Sequence, residues 1–474
     1  MNVHVGARAL VLGGSMAGLL AARVLADAYD EVVVVDRDEL FGVTEPRRGV
    51  PQGKHVHGLL ARGKEILEEL FPGFTAEAEE KGALTGDLGA HRWYFAGRQA
   101  RKARTGLLYV SATRPVLESF VRERVAALPN VKFLERRDII GLVATPDRST
   151  VTGARLSADG GVEEFLAADL VVDATGRGSR TPTWLADLGY DRPSVDRIKI
   201  DLSYTTRLYR KPAESVVRGD RSINPLGSPV TPRGAFFSEM EDGKWVLSVT
   251  CVLGDRAPTD PDGFVEFLRT LPIPDIYEAV KDAEPYDDPS AFRYPASTRR
   301  RYEKLNRFPE RFLVLGDAAC SFNPVYGQGM TVAAQEALTL RSHLERGVPN
   351  PLKFQKDIAK VIDIPWDISA GGDLSFPQVE GKRPAKVKIG NAYMAKVQAA
   401  ATRDPVVLTG FMRIVGLLDA PQALMRPKMM ARVLVQAWLA NRELRKNAAL
   451  AAAEQDAVVT PLPDRPEDPT TRAA

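Results

Sequence analysis

Three glycine-bearing turns carry the residue types and spacings from which chemistry can be read. The first is Gly13-Gly14-Ser15-Met16-Ala17-Gly18, set between an apolar run and a helical pattern, with Asp36 closing the next apolar run. In a dinucleotide-binding turn the first glycine permits the tight bend and the second lets the backbone approach a pyrophosphate. The third lets helix and strand pack closely, and the acid takes the adenosine ribose hydroxyls. Here Ser15 holds the middle position, where a serine tolerates close approach and adds a hydroxyl donor. The second turn is Asp173-Ala174-Thr175-Gly176-Arg177-Gly178-Ser179-Arg180. In the third, an apolar strand ends at Gly316-Asp317, a loop crosses through Pro324, and Gly327, Gln328, Gly329 and Met330 open a helix. An acid at a strand end binds a polyol, and the unpaired N–H groups of a helix start stabilise an anion. A reduced flavin needs both, for its ribitol hydroxyls and its negative N1–C2=O edge. A bland strand-to-helix turn accounts less easily for the whole run.

The other reactive side chains point to little chemistry. His55 and His57 form a close pair, but no cysteine or carboxylate stands nearby at zinc spacing, so no metal is expected. Loop histidines more often make structural hydrogen bonds. Cys251 and Cys320 sit singly in apolar stretches without a CxxC pair, which argues against a disulfide framework and for a reducing compartment, the cytoplasm. Cys320 follows Asp317 with no adjoining base, so packing is its expected role. The basic run 98–104 has the charge to attract a nicotinamide cofactor's phosphate or the phosphopantetheine of a carrier protein. A solvated hairpin tip is the plainer expectation. No side chain is assigned a catalytic role.

These turns need elements to hold them. Strands are expected at 9–14 and 31–36, with a helix over 16–28 between them, the opening of a parallel α/β sheet. A short helix is expected at 63–71. Strands at 93–97 and 107–111 are read as flanking the basic turn, followed by a helix at 113–128 with Thr113 as cap and Pro115 in its first turn. More strands follow at 131–135, 139–145 and 151–156. Residues 190–300 alternate in longer stretches with few helices, which suggests an inserted antiparallel sheet. The buried-strand pattern returns at 311–319, a helix follows at 329–347, and 352–450 is mostly helical in pattern. The tail after about 457, rich in proline and threonine, reads as disordered. Only one dinucleotide fingerprint is visible.

Composition bounds the rest. The 474 residues are 44% hydrophobic and 26% charged, enough for a large core. Lys plus Arg total 64 against 61 Asp plus Glu, a net charge of +3, too small for whole-molecule attraction to nucleic acid or an anionic membrane. The apolar run 9–26 is broken by glycines and Arg23, so it reads as a strand, turn and helix rather than a leader or a membrane span. Residues 406–418 are read as a packed helix.

The three turns together resemble the flavoprotein monooxygenases related to aromatic hydroxylases and squalene epoxidase, over most of residues 7–340. With the run RRGVPQGKHVHGLL at 47–60, they look most like the actinobacterial polyene epoxidases of polyether antibiotic pathways, of the lasalocid and monensin type. The resemblance implies an α/β fold: a Rossmann-like FAD-binding domain (1–189, with a substrate-side excursion near 70–110, returning at 306–350), an inserted antiparallel β-sheet substrate domain (190–305), a C-terminal helical region (351–456) and a tail (457–474). It implies FAD held at its pyrophosphate by Gly13 to Gly18 and at its adenosine by Asp36 with Arg37. Arg48 and Arg114 would reach the phosphate and ribitol region and Asp317 the ribitol and pyrophosphate side. Pro324 and Gly327 to Met330 would line the isoalloxazine. The implied reaction is epoxidation of a long apolar polyene, free or carrier-bound, by O2 through a flavin C4a-hydroperoxide, with the FAD reduced by NADPH directly or by a partner flavin reductase. Hydroxylation of an aromatic is the alternative. Ser15 departs from the family by replacing a glycine, and the ATGRGSR form of the second turn and Cys320 in place of a histidine depart from the aromatic-hydroxylase pattern.

Overall fold

A computed structural model describes residues 3–43, 47, 53, 55, 57–158 and 161–459, with side chains to 449. Its centre is a five-stranded parallel sheet built from β1 (Gly6–Leu12), β2 (Tyr29–Val35), β3 (Val131–Leu134), β4 (Leu170–Asp173) and β5 (Phe312–Val314), in the order β5-β4-β1-β2-β3. These segments are nearly continuous apolar runs because both faces of a parallel sheet are covered. Leu10, Val11, Leu12, Val32, Val34, Val35, Val171 and Leu313 are all fully buried. Each such side chain contributes roughly 1.5–3 kcal/mol over its exposed state. Helices α1 (Met16–Leu25), α2 (Ala61–Leu70), α3 (Arg114–Ala126) and α4 (Gly329–Leu344) join one continuous core with the sheet. A three-stranded meander, 137–144, 151–158 and 163–167, supplies Val151, Ala154 and Leu156 to the same core.

The alternating region forms a seven-stranded sheet, in the order 290–294, 202–209, 245–251, 234–239, 222–226, 92–95 and 98–99. Neighbours run antiparallel except 222–226 with 92–95, which are parallel. Period-2 alternation divides its faces. Trp245, Leu247, Val249, Phe237 and Ile223 belong to a core shared with the short helices Pro261–Phe267 and Asp275–Val280, which the expectation of few helices understated. Residues of opposite parity, among them Tyr204, Thr206, Ser248, Phe292 and Tyr294, occupy the other face. Leu202, Tyr204 and Tyr294 pack there with Leu374, Phe376 and Val379.

The C-terminal helices complete both units. Helix α5 (Pro351–Asp373) puts Phe354, Ile358 and Ile362 into the main core, and Gln355 Nε2 donates to Val314 O of β5 at 3.0 Å. Helices α6 (Ala385–Ala401), α7 (Pro405–Val415) and α8 (Pro427–Val459) form another core with Phe95, Leu107 and Tyr109. Within 406–418, Val407, Leu408, Phe411 and Met412 are buried in that core. None of the described helices is long and apolar enough to cross a membrane.

The 84–111 region corrects one expectation. Strand 92–95 turns back at Ala96-Gly97, both at positive φ, to pair with 98–99, whereas 108–111 joins 58–59 and 84–87 in a separate sheet. The basic run between them is no solvated tip. Lys102 pairs with buried Asp220, Arg98 Nη1 donates to Asn441 Oδ1 at 3.1 Å, and Arg101 Nη1 to Arg403 O at 3.2 Å, so it fastens the sheet and the C-terminal helices. The described helix α8 runs to Val459, and the tail beyond it lies outside the described residues.

Candidate FAD site

At the first turn, Gly13 sits at φ +108°, with its N–H donating to Val35 O at 2.8 Å. A Cβ on Gly18 would lie 1.8 Å from Gly13 O, which makes Gly18 the close-packing glycine. Gly14 N–H donates to Asp36 Oδ2 at 2.7 Å, and Asp36 Oδ1 accepts from Asp38 N–H at 2.9 Å. Asp36 thus ties the turn to the end of β2, with Arg37 exposed beside it. Helix α1 starts at Met16 with neither a side-chain cap nor an acid in its first turn, so its leading amides are open to an anion. Met16 itself is buried in the core, as is Met330, so only their backbone is left to a ligand.

Ser15 is not a cap because its hydroxyl is committed elsewhere. Its Oγ donates to Glu118 Oε2 at 2.6 Å and accepts from Arg114 Nη2 at 3.1 Å. Glu118, 2% exposed, also meets Arg47, Arg114 and Arg122, the last at 2.9 Å. Burial alone would raise its carboxyl, but Arg114, Arg47, the Ser15 hydroxyl and Arg122 together bring it down to about 2. Arg47 continues the network to Asp36 at 3.6 Å and Asp38 at 3.4 Å. Sequence reasoning found Arg114 and Ser15 and missed Glu118, Arg47 and Arg122. The signal was the Arg114, Glu118, Arg122 ladder at i, i+4 on α3, which reads as an ordinary solvated helix face until burial is known. Arg48 lies outside the described residues.

In the second turn, fully buried Asp173 accepts from Thr175 N–H at 2.9 Å and from the Thr175, Ser179 and Thr181 hydroxyls, shaping the loop around Gly176. Arg177 lies over the Tyr294 ring, 5.3 Å from its centroid. Arg300 fastens the second turn to the third by donating to Arg177 O and Ala318 O, each at 2.9 Å. The third turn bends at Gly316, φ +65°, where a Cβ would come within 2.6 Å of Ala17 Cβ on α1. Gly316 N–H donates to the buried Glu336 at 2.6 Å, whose carboxyl burial pushes up to about 8. Half-buried Asp317 is raised by burial, against the pull of Arg177, Arg114 and Arg300. The three turns therefore meet around Asp317.

Beyond it, Asn323 Oδ1 accepts from Val325 N–H at 3.0 Å and caps the turn Pro324–Tyr326, and Gly327 follows at φ +65°. Gln328 is buried with Oε1 lacking a partner, and α4 begins without a side-chain cap or a first-turn acid. A Cβ on Gly329 would meet nothing within 4 Å. His55 Nδ1 hydrogen-bonds Thr206 Oγ1 at 2.7 Å, and His57 Nδ1 the His55 carbonyl at 2.7 Å, so both make structural contacts. Burial, then Arg114, lowers His57 to about 3, which keeps it neutral. Burial raises the Cys320 thiol well above its ordinary range.

Two uncapped helix starts, an orphaned amide oxygen, an acid at a strand end and open space before Gly329 suit a ligand with a pyrophosphate, a polyol and a hydrogen-bonding ring. FAD has all three. Residues 7–347 match the family model described as FAD binding domain. The chain belongs to that family. FAD is accordingly its cofactor, and the family's flavin-dependent monooxygenases are its relatives. It is 36% identical over 439 residues to Protein Rv3254 of Mycobacterium tuberculosis, covering 87% of this chain and 90% of that protein. It is 25% identical over 358 residues to the kynurenine 3-monooxygenase of Salinispora arenicola, covering 70% and 71%. The crystal structure of Pseudomonas aeruginosa PqsL with 2-aminobenzoylacetate shares its fold, with a TM-score of 0.61 at 18% identity over 78% of this chain and 98% of that one.

Proposed function

We propose that this FAD protein is a monooxygenase that epoxidises an alkene of a long, apolar polyene, using O2 and electrons from NADPH directly or from a partner flavin reductase. The bound flavin supplies oxygen activation once reduced. The amides at the start of α1 with Arg114 would hold the pyrophosphate, Asp36 with Arg37 the adenosine and Asp317 the ribitol. Pro324 and Gly327 to Met330 would line the ring, with Gln328 Oε1 offering a buried acceptor. Half-buried Phe292, beside the packed rings of Tyr204 and Tyr294, would offer an apolar chain an aromatic contact.

The choice of an alkene is supported by the two histidines beside the turns, while of the raised carboxyls there Glu336 is buried and held by Gly316 N–H and Asp317 is assigned to the ribitol. His57 is a poor proton acceptor with a pKa of about 3, and His55 is spent on Thr206. A phenol gains from a base at its hydroxyl, whereas an isolated alkene needs none. Aromatic hydroxylation is the second reading, favoured by the kynurenine 3-monooxygenase relative. The test is incubation of the FAD-loaded protein with NADPH, with and without a flavin reductase, under 18O2 with a polyene polyketide. One labelled oxygen per epoxide formed is expected, with the other in water. Unchanged polyene beside an oxygenated aromatic acceptor overturns epoxidation in favour of the second reading.

A further inference from the structure

Helix α5 ends in a carboxyl group that none of the three turns contains. Asp373 is 1% exposed. Its Oδ1 accepts from Asn323 Nδ2 at 2.8 Å and from the Tyr326 hydroxyl at 3.4 Å. Asn323 in turn caps the Pro324–Tyr326 turn, so Asp373 grips both ends of the short segment that leads into Gly327, Gln328 and Gly329. The fit is close: a Cβ on neighbouring Gly372 would lie 2.1 Å from the Tyr326 hydroxyl oxygen. Asp373 Oδ2 is buried with no donor at full hydrogen-bond geometry, and the buried Ser297 hydroxyl lies close enough to pull the carboxyl down against its burial.

Among the described residues the groups around it are neutral. The turn supplies Asn323 and Tyr326, the seven-stranded sheet Tyr204, and the strand 297–300 Ser297. Asn391 of α6 donates to Gly371 O, and the Arg383 guanidinium is spent on carbonyls that include Leu374 and Phe376. A buried carboxylate with no cation at hand is costly, and a proton on Oδ2 removes the charge.

We propose that Asp373 is a positioning residue that carries a proton while FAD is bound, holding the 323–326 turn in the shape that admits the flavin, and that its ionisation loosens the site. The proton leaves to solvent and the two donors to Oδ1 remain. Burial sets the scale, pushing Asp373 up to about 7, so the transition falls where it is easily measured. Because the raised value favours the protonated form, the assembled site is complete at low pH and is lost as pH rises through about 7.

The test measures FAD affinity, by quenching of flavin fluorescence, from pH 6 to pH 8.5 for the full chain and for Asp373→Asn and Asp373→Ala. Asn copies the neutral acid, with an acceptor for Asn323 and Tyr326 and a donor toward Ser297. The full chain is expected to bind FAD about tenfold more weakly at pH 8.5 than at pH 6. Asp373→Asn is expected to lose most of that fall, keeping only the part that Glu336 at the third turn adds toward pH 8.5, and Asp373→Ala to bind weakly throughout with an altered flavin absorption band. Infrared difference spectra should show protonated-carboxyl absorption at pH 6 that fades by pH 8.5 and is reduced in Asp373→Asn, where the Glu336 carboxyl remains. An unchanged pH slope in Asp373→Asn, wild-type binding by Asp373→Ala, or carboxyl absorption at pH 6 that Asp373→Asn leaves undiminished overturns the proposal. Each leaves the flavin and its reaction intact, whereas failure of the natural chain to bind FAD at any pH overturns both.

Discussion

Arg47, Arg114 and Arg122 crowd one buried space beneath the first turn, and Glu118 meets all three. Removing one partner of such a cluster leaves charges that neither water nor protein neutralises. Glu118→Ala is therefore expected to destabilise the protein by about 3–5 kcal/mol, measured by urea denaturation at pH 7. The same group sets an acid limit. Its folded-state value is about 2 against an ordinary 4.5, so its contribution is present above pH 4.5 and lost as pH falls toward 2. The urea midpoint should drop through that window, and Glu118→Gln should flatten the drop while lowering the plateau at neutral pH. An unaltered acid slope in Glu118→Gln would assign the transition to other carboxylates.

At the scale of elements, two glycines at helix starts have opposite surroundings. Gly18 lets α1 lie against the first turn, and Gly18→Ala forces a Cβ to 1.8 Å from Gly13 O, so it should lower stability and abolish FAD binding together. Gly329 opens α4 with nothing within 4 Å of its missing Cβ and no positive φ. Gly329→Ala should keep the flavin-free protein folded, gaining up to about 1 kcal/mol of helix propensity, while FAD affinity falls because the added methyl enters the space the ring would use. Thermal melts with and without FAD separate the two outcomes. The difference between these glycines also marks how far the sequence could be read. Glycines after an apolar run, an acid at the next strand end and a helix start are local signals, so the parallel sheet and the three turns were legible. Glu118 was not, because a charge ladder on a helix looks the same whether solvated or buried. Asp373 was not, because it reaches Asn323 across 50 residues through tertiary packing alone. The strands at 92–95 and 108–111 read as flanking one basic turn because the real hairpin, 92–95 with 98–99, bends at Ala96-Gly97, where an alanine replaces the asparagine that ordinarily announces such a turn.

On the scale of the whole molecule, the family match ends at residue 347, yet the structure does not divide there. Phe354, Ile358, Ile362, Trp366 and Ala370 of α5 lie in the same continuous core as β1, β2 and α4. Gln355 holds β5 from α5, and Arg299, buried in the strand 297–300, donates to Ala359 O at 3.2 Å. Cutting the chain after Gly347 would expose that apolar surface at roughly 25 cal/mol per Å2 and release the turn held by Asp373. The shortened chain is expected to bind no FAD and to show no cooperative melt. The full chain should unfold in a single transition that FAD raises, by an amount that grows with the logarithm of free FAD, near 2.7 kcal/mol at about 100 times the Kd. Calorimetry across a series of FAD concentrations checks this. Two transitions, of which FAD shifts only one, would mean that the C-terminal helices form an independent unit and that the site is complete without them.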